Sequence, residues 1–192
     1  MDHLDLLQLV AKGNEEAFQN LYNHFRAQVY NTSLSYLQNH SEAEEITQDV
    51  FVEIYQSASG FQGKSAVRTW IYRIAVTKSL DKLRYRSRKK RFALMTNLFN
   101  EASGELAHDP PDFDHPGVLQ ENKENSRILF KAIHRLVERQ KTAFILTFVE
   151  ELSQKEVAEI MKLSTKAVES LIQRAKANLR TELEIFFPER RK

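Results

Sequence analysis

Residues 62–91 hold eleven Lys or Arg side chains against a single carboxylate, Asp81. Lys64, Arg68, Arg73, Lys78, Lys82, Arg84, Arg86 and Arg88 are interleaved with Trp70, Tyr72 and Tyr85, and Phe61 and Gly63 stand just before them. Cations at this density follow a phosphate backbone, and aromatic faces stack on unpaired bases. A solvated charged face accounts for the cations and packing alone for Trp70. However, so much like charge repels itself unless a polyanion lies against it. Nucleic acid is the expected partner of this block.

A second constellation lies in residues 153–180. Ser153 and Glu156 have capping-box spacing and open a helix with Val157, Ala158 and Met161 on its inner side. Lys162-Leu163-Ser164 makes a short turn into a second helix with Val168, Ile172, Ala175 and Leu179 on one face. A small residue, Ala158, lets the two helices approach, and Val168 packs behind it ten positions later. Thr165, Lys166, Glu169, Ser170, Gln173 and Arg174 then share the outer face, where a helix N-terminus reaches base edges and phosphates in a major groove. An ordinary helical hairpin has the same pattern. Lys162 stands where many such turns carry Gly, and phosphates would repel Glu169.

Other candidate chemistry fails on spacing. The carboxylates of Glu42, Glu44, Glu45 and Asp49 fall on more than one helix face, which argues against a paired acid and base. A solvated helix start and a protein-docking surface both fit them. Gly63-Lys64-Ser65 resembles the end of a phosphate loop, but Ala58 stands where that motif needs Gly and no apolar strand precedes it. Asp109, Asp112, Asp114 and His115 sit among Pro110, Pro111 and Pro116, the composition of a linker rather than of a metal site. The six His residues lack zincin spacing, Cys is absent, and no nucleophile elbow or dinucleotide fingerprint occurs. No catalytic residue, metal or cofactor is expected.

The elements that position these residues read as helices. The chain of 192 residues has 42% hydrophobic and 28% charged residues, with only 5 Gly and 4 Pro. That composition suits one or two small helical domains. Residues 4–37 repeat Phe18, Leu21, Tyr22, Phe25, Val29 and Tyr30 at three- and four-residue spacing, with Asn14 as an N-cap. A second helix is expected to start at Ser41, in a capping box with Glu44, and to bury Ile46, Val50, Phe51 and Ile54. Residues 57–63 read as a loop, and 66–88 as a third helix burying Trp70, Ile71, Ile74, Ala75 and Leu83. Helical pattern resumes near Asn125 and runs to Phe187, where Pro188 stops it. By segment, the net charge is −7 over 1–61, +10 over 62–91, −6 over 92–125 and +5 over 126–192. No apolar run is long enough to span a bilayer, and Met1–Val10 lacks the basic start of a secretory signal. A cytoplasmic, all-α protein is expected, with a first domain over 1–95, a flexible acidic linker over 96–125 and a second domain over 126–187.

The two constellations together resemble a bacterial RNA polymerase sigma factor of the extracytoplasmic-function (ECF) group, within the sigma-70 family. Ala43-Glu44-Glu45-Ile46-Thr47-Gln48-Asp49-Val50-Phe51 is similar to the family helix A-E-D-x-x-Q-E-x-F. Phe61-Gln62-Gly63, then Thr69-Trp70-Ile71-Tyr72-Arg73-Ile74-Ala75 with Asp81 and Arg84, is similar to the family segment that melts and reads the promoter −10 element. The helix-turn-helix is similar to the one that reads the −35 element as duplex. The sequence departs from the family at Thr77, Val137, Glu151, Lys162, Glu169 and Leu171.

The resemblance implies a transcription initiation factor, not an enzyme, that binds core polymerase through the β′ clamp and β subunits. It assigns Glu44, Glu45, Gln48, Asp49 and Phe51 to polymerase docking. Phe61, Gln62, Gly63, Lys64, Ser65, Arg68, Thr69, Trp70, Arg73, Lys78 and Arg84 are assigned to the melted −10 strand. Ser164, Thr165, Lys166, Ser170, Gln173, Arg174 and Lys176 are assigned to the −35 duplex. Promoter DNA and an anti-sigma factor, which the family usually has and which can be membrane-bound, are the further partners implied; no membrane insertion of the chain itself is expected. A free-standing helix-turn-helix regulator is the alternative, although no heptad zipper for a dimer is present.

Overall fold

A computed structural model of the chain describes residues 2–99, 123–184 and 186, with side chains placed for 2–93, 124–184 and 186. The expected linker lies outside the described residues between 100 and 122, as do Asp109, Asp112, Asp114, His115 and the stop at Pro188. Among the described residues every regular element is helical. The order is α1 (His3–Ala11), α2 (Glu15–Leu37), α3 (His40–Ser57), a 3-10 turn (Ala58–Gly60), α4 (Val67–Phe99), α5 (Lys123–Arg135), α6 (Glu138–Phe144), a π turn (Ile145–Val149), α7 (Gln154–Met161) and α8 (Thr165–Glu184).

The expected helix over 4–37 is two helices. Gly13, at φ +82°, makes the break, and the Asn14 side chain accepts from the Ala17 amide at 2.8 Å to start α2. A left-handed backbone favours Gly because a Cβ crowds there. The capping box expected at Ser41 and Glu44 does not form. Asn39 is the cap instead, accepting from the Glu42 amide at 2.9 Å, because Gln38 ends α2 in a left-handed conformation (φ 51°) and turns the chain two residues earlier. The α4 helix outruns its expected end at 88 by three turns, to Phe99.

Leu21, Phe25 and Val29 of α2 pack with Ile46, Val50 and Ile54 of α3 and with Ile71 and Ala75 of α4, and Leu7 and Val10 of α1 close the end. In the second half Ile133, Ile145, Leu146, Val157, Val168 and Ile172 are buried together. Each such side chain is worth about 1.5–3 kcal/mol on burial.

The two halves meet. α4 lies against α7, and α2 touches the π turn. The Gln38 side-chain amide donates to the Phe130 carbonyl at 2.8 Å. The Tyr72 hydroxyl donates to Glu150 at 3.2 Å.

Candidate nucleic-acid interface

The loop before α4 is set by the 3-10 turn, which the Phe61 amide closes on the Ala58 carbonyl. Phe61 and Trp70 then lie side by side, ring centroids 5.2 Å apart and planes inclined by 52°. Both are partly exposed, and Gln62, Gly63 and Lys64 are fully on the surface, with Ser65 behind them. Gly63 takes φ +68°. A paired, half-covered phenyl and indole beside a cationic helix offer the kind of faces on which flat, unpaired bases stack. Thr69, which the resemblance places in this set, is turned inward and 4% exposed.

Several cations of α4 are spoken for. Arg68 pairs with Glu156 at 3.7 Å and lies 5.5 Å over the Tyr72 ring. Arg73 donates to the Glu159 carbonyl at 2.8 Å. Arg84 reaches Asp81 at 2.9 Å on its own helix and grips Glu138 through Nε at 3.0 Å and through Nη2. Lys78 pairs with Glu53 at 3.5 Å. So all three arginines expected on a melted strand, Arg68, Arg73 and Arg84, are held by α6 and α7.

At the centre of that contact sits Glu150. Burial pushes its carboxyl up to about 7, against the pull of Thr32, Tyr72 and Arg68. Its Oε1 is buried and finds no hydrogen-bond partner. Burial, then the nearby Glu150 charge, pushes the Tyr72 hydroxyl up to about 12. Glu156 moves the other way, because the Ser153 hydroxyl and amide both stabilise its charged form.

The α3 face is acidic and partly apolar. Glu44, Glu45, Gln48 and Asp49 are exposed, whereas Phe51 is 3% exposed and packs on Tyr22, centroids 4.6 Å apart. Glu45 is bound by Lys82 at 2.6 Å. Val52 and Tyr55 stand out on this helix, 54% and 48% exposed. Reading the sequence missed them, although they follow Gln48 and Asp49 by three to seven residues and so share their side of the helix.

In the second half the Ser153–Glu156 capping box forms, and Lys162 makes the turn at φ 53°. Ser164 caps α8 through the Ala167 amide at 3.2 Å. Thr165, Lys166, Ser170, Gln173 and Arg174 are exposed along one side of α8, with Glu169 among them. The Lys176 ammonium lies 4.6 Å over the Phe148 ring. The apolar side, Val168, Ile172, Ala175 and Leu179, is buried as expected.

Two sigma-70 family models match this chain, region 2 over residues 21–89 and region 4 over 126–179. The ECF RNA polymerase sigma-E factor of Haemophilus influenzae is 30% identical over 93% of this chain and 94% of its own length. The chain belongs to the extracytoplasmic-function group of sigma-70 RNA polymerase sigma factors. The ECF RNA polymerase sigma factor SigW of Bacillus subtilis is 28% identical over 92% of this chain and 94% of its own. Among solved structures, CnrH in complex with the cytosolic domain of CnrY superposes with a TM-score of 0.67 at 22% identity, covering 95% of this chain and 97% of that one. The sigma factor RpoE in complex with the anti-sigma factor NepR from Bartonella quintana superposes at 0.64 and 20% identity, covering 88% and 97%. Both likenesses are of fold.

As a sigma factor the chain directs RNA polymerase to promoters at initiation, and the free-standing regulator is not favoured. Among the described residues no helix is long and apolar enough to cross a membrane, and no three His, Asp or Glu side chains are grouped for a metal ion.

Proposed function

We propose that the three surfaces divide the work of promoter opening. The exposed side of α3, with Glu44, Glu45, Gln48 and Asp49, docks on the β′ clamp of core polymerase, with Phe51 holding that helix from behind. Phe61, Gln62, Gly63, Lys64, Ser65, Arg68, Trp70, Arg73, Lys78 and Arg84 receive the melted −10 strand, and Thr69 supports them from inside. Ser164, Thr165, Lys166, Ser170, Gln173, Arg174 and Lys176 address the −35 duplex. The first domain is 1–95 and the second 126–187, with 96–125 as the acidic connection that lies where nucleic acid runs through the enzyme and meets the β subunit. The protein works in the cytoplasm and carries out no reaction of its own; bond formation belongs to the core enzyme.

The observation that carries this reading is the Phe61–Trp70 pair, partly exposed at the start of a cationic helix. Stacking chemistry and duplex-reading chemistry are thus on different halves. Because Arg68, Arg73 and Arg84 are bound to the second half, that half must swing away before the strand can take them. An anti-sigma factor that prefers the closed arrangement would hold the protein inactive, and the solved RpoE relative was captured with one.

Permanganate footprinting on ordinary and pre-melted promoters tests the division. Phe61→Ala should bind promoter normally but open it poorly, since a lost stacking side chain costs about 1–3 kcal/mol per base. Lys166→Ala and Arg174→Ala should form fewer closed complexes and stay weak on a pre-melted template. A Phe61→Ala protein whose whole deficit lies in duplex binding would overturn the assignment of the loop. Tight, specific duplex binding by the chain alone, unchanged by core enzyme, would return the argument to a free-standing regulator.

A further inference from the structure

A cleft of about 670 Å³ lies between the later turns of α4 and the α5–α6 corner, and its charges do not balance. Among the described residues two carboxylates line it, Asp81 and Glu138, and both are committed to Arg84. That leaves Arg88, Arg91 and Lys141 on the same walls. Among the described residues Arg91 donates to the Ser87 carbonyl of its own helix, at 3.3 Å, and to no acid. Lys141 is the decisive residue. The residue is 7% exposed, and among the described residues no hydrogen bond or ion pair holds its ammonium, which keeps its opening onto the cleft. A charged side chain that deep is ordinarily paired, because the interior solvates it poorly. Its nearest acid, Glu138, one turn earlier on α6, is already held by Arg84.

We propose that this cleft binds a small anion bearing two or more linked phosphoryl groups, held by Lys141, Arg88 and Arg91. Guanidinium forks match phosphoryl oxygens in pairs, and an ammonium adds a compact point charge. A single carboxylate would satisfy one of the three cations and strand two. The size suits a small ligand, and the covered position of Lys141 admits a slender group rather than a duplex. Leu80 and Leu83 add an apolar wall on which a nucleobase could rest. Because the walls come from both halves of the chain, the occupant also bridges them. Lys141, Arg88 and Arg91 belong to none of the three surfaces above, although Arg84 on the same wall is assigned to the −10 strand.

His134 supplies a built-in reporter. It lines the cleft, and loss of solvent, then Lys141 and Arg86, push its imidazole down to about 4. A bound polyanion beside Lys141 raises it again.

The test is calorimetric titration of the full chain with inorganic tripolyphosphate at fixed ionic strength, with sulfate as the control and adenosine triphosphate as a second arm. One saturable site is expected, silent to sulfate, with the His134 ring titrating at higher pH when the site is filled. Tighter binding of adenosine triphosphate than of tripolyphosphate assigns the leucine wall to a base; equal binding assigns the site to the phosphates alone. Lys141→Met should weaken binding at least tenfold and leave the melting temperature unchanged or higher, as replacing a buried ion by an apolar side chain often does. If that variant fails to fold, Arg88→Gln and Arg91→Gln, at exposed positions, should each weaken binding. Non-saturable uptake, an equal response to sulfate, or full affinity in a well-folded Lys141→Met protein would overturn the proposal. So would binding through these residues only to an acidic peptide or to single-stranded DNA.

Discussion

Arg84 of α4 holds Glu138 of α6 by two hydrogen bonds, Nε to Oε2 at 3.0 Å and Nη2 to Oε1, across the boundary between the halves. Both side chains are about half exposed, so screening discounts the pair to under about 1 kcal/mol. Alone it cannot hold the arrangement shut. Together with Arg68–Glu156, it makes the contact salt-sensitive.

The first prediction follows from that sensitivity. Raising salt from tens to hundreds of millimolar, or substituting Glu138→Lys with Glu156→Lys, should move the halves apart. Fluorescence transfer between labels at Gln19→Cys and Ala177→Cys, both exposed, reads the distance. An unchanged distance in the double variant would show that apolar contacts alone close the molecule.

Glu150 makes the closing contact depend on pH. Its carboxyl is raised to about 7 in the closed form, so that form binds the proton more tightly than the open one. The stabilisation is complete below the ordinary carboxylate range and is lost as pH rises through about 7. The groups facing it are Tyr72 and Arg68 on α4 and Thr32 on α2. The label distance should therefore grow between about pH 5 and pH 8, and Glu150→Gln should flatten the profile.

The caps give a third, purely structural test. Asn39→Ala should cost about 1 kcal/mol in chemical denaturation, whereas Ser41→Ala should stay within about 0.5 kcal/mol. The reverse order would restore the capping box that the sequence suggests.

Polymerase docking is best tested away from Glu45, because its pair with Lys82 would confound the result. Gln48→Ala with Asp49→Lys and Tyr55→Ser should weaken association with core enzyme tenfold or more. The fold should survive, since all three positions are exposed. Full affinity in that triple variant would remove α3 as the docking surface.

Much of the fold was legible because local rules decided it. The three-to-four spacing of Leu21, Phe25 and Val29 marks a buried stripe whatever packs on it, and Asn14 and Ser153 cap where a cap residue precedes such a stripe. Ser41 misled because Asn39 and Ser41 both precede glutamates at cap spacing, and the choice fell to Gln38, whose left-handed turn is a tertiary outcome. The end of α4 was hidden because Arg86–Arg91 has no apolar period; charged residues continue a helix without advertising it. Within the candidate site, the exposure of Lys64 and of the outer side of α8 could be read from residue type. The pairing of Arg68, Arg73 and Arg84 with the second half could not. Glu138 and Glu156 look like ordinary first-turn acids, and nothing local says that a distant helix will claim them. Lys141 was unreadable for the same reason, since a lysine's burial is decided by its neighbours.

The three clasped arginines also bear on how such a chain lives beside a chromosome. Non-specific sites number on the order of 10⁶–10⁹ per genome, and each competes for any bare cationic surface. Every phosphate contact a protein withholds lowers the steepness of its salt response by roughly 0.7–0.9 and loosens its hold on random sequence. By keeping Arg68, Arg73 and Arg84 on its own α6 and α7, the closed chain withholds up to three phosphate contacts from that sink.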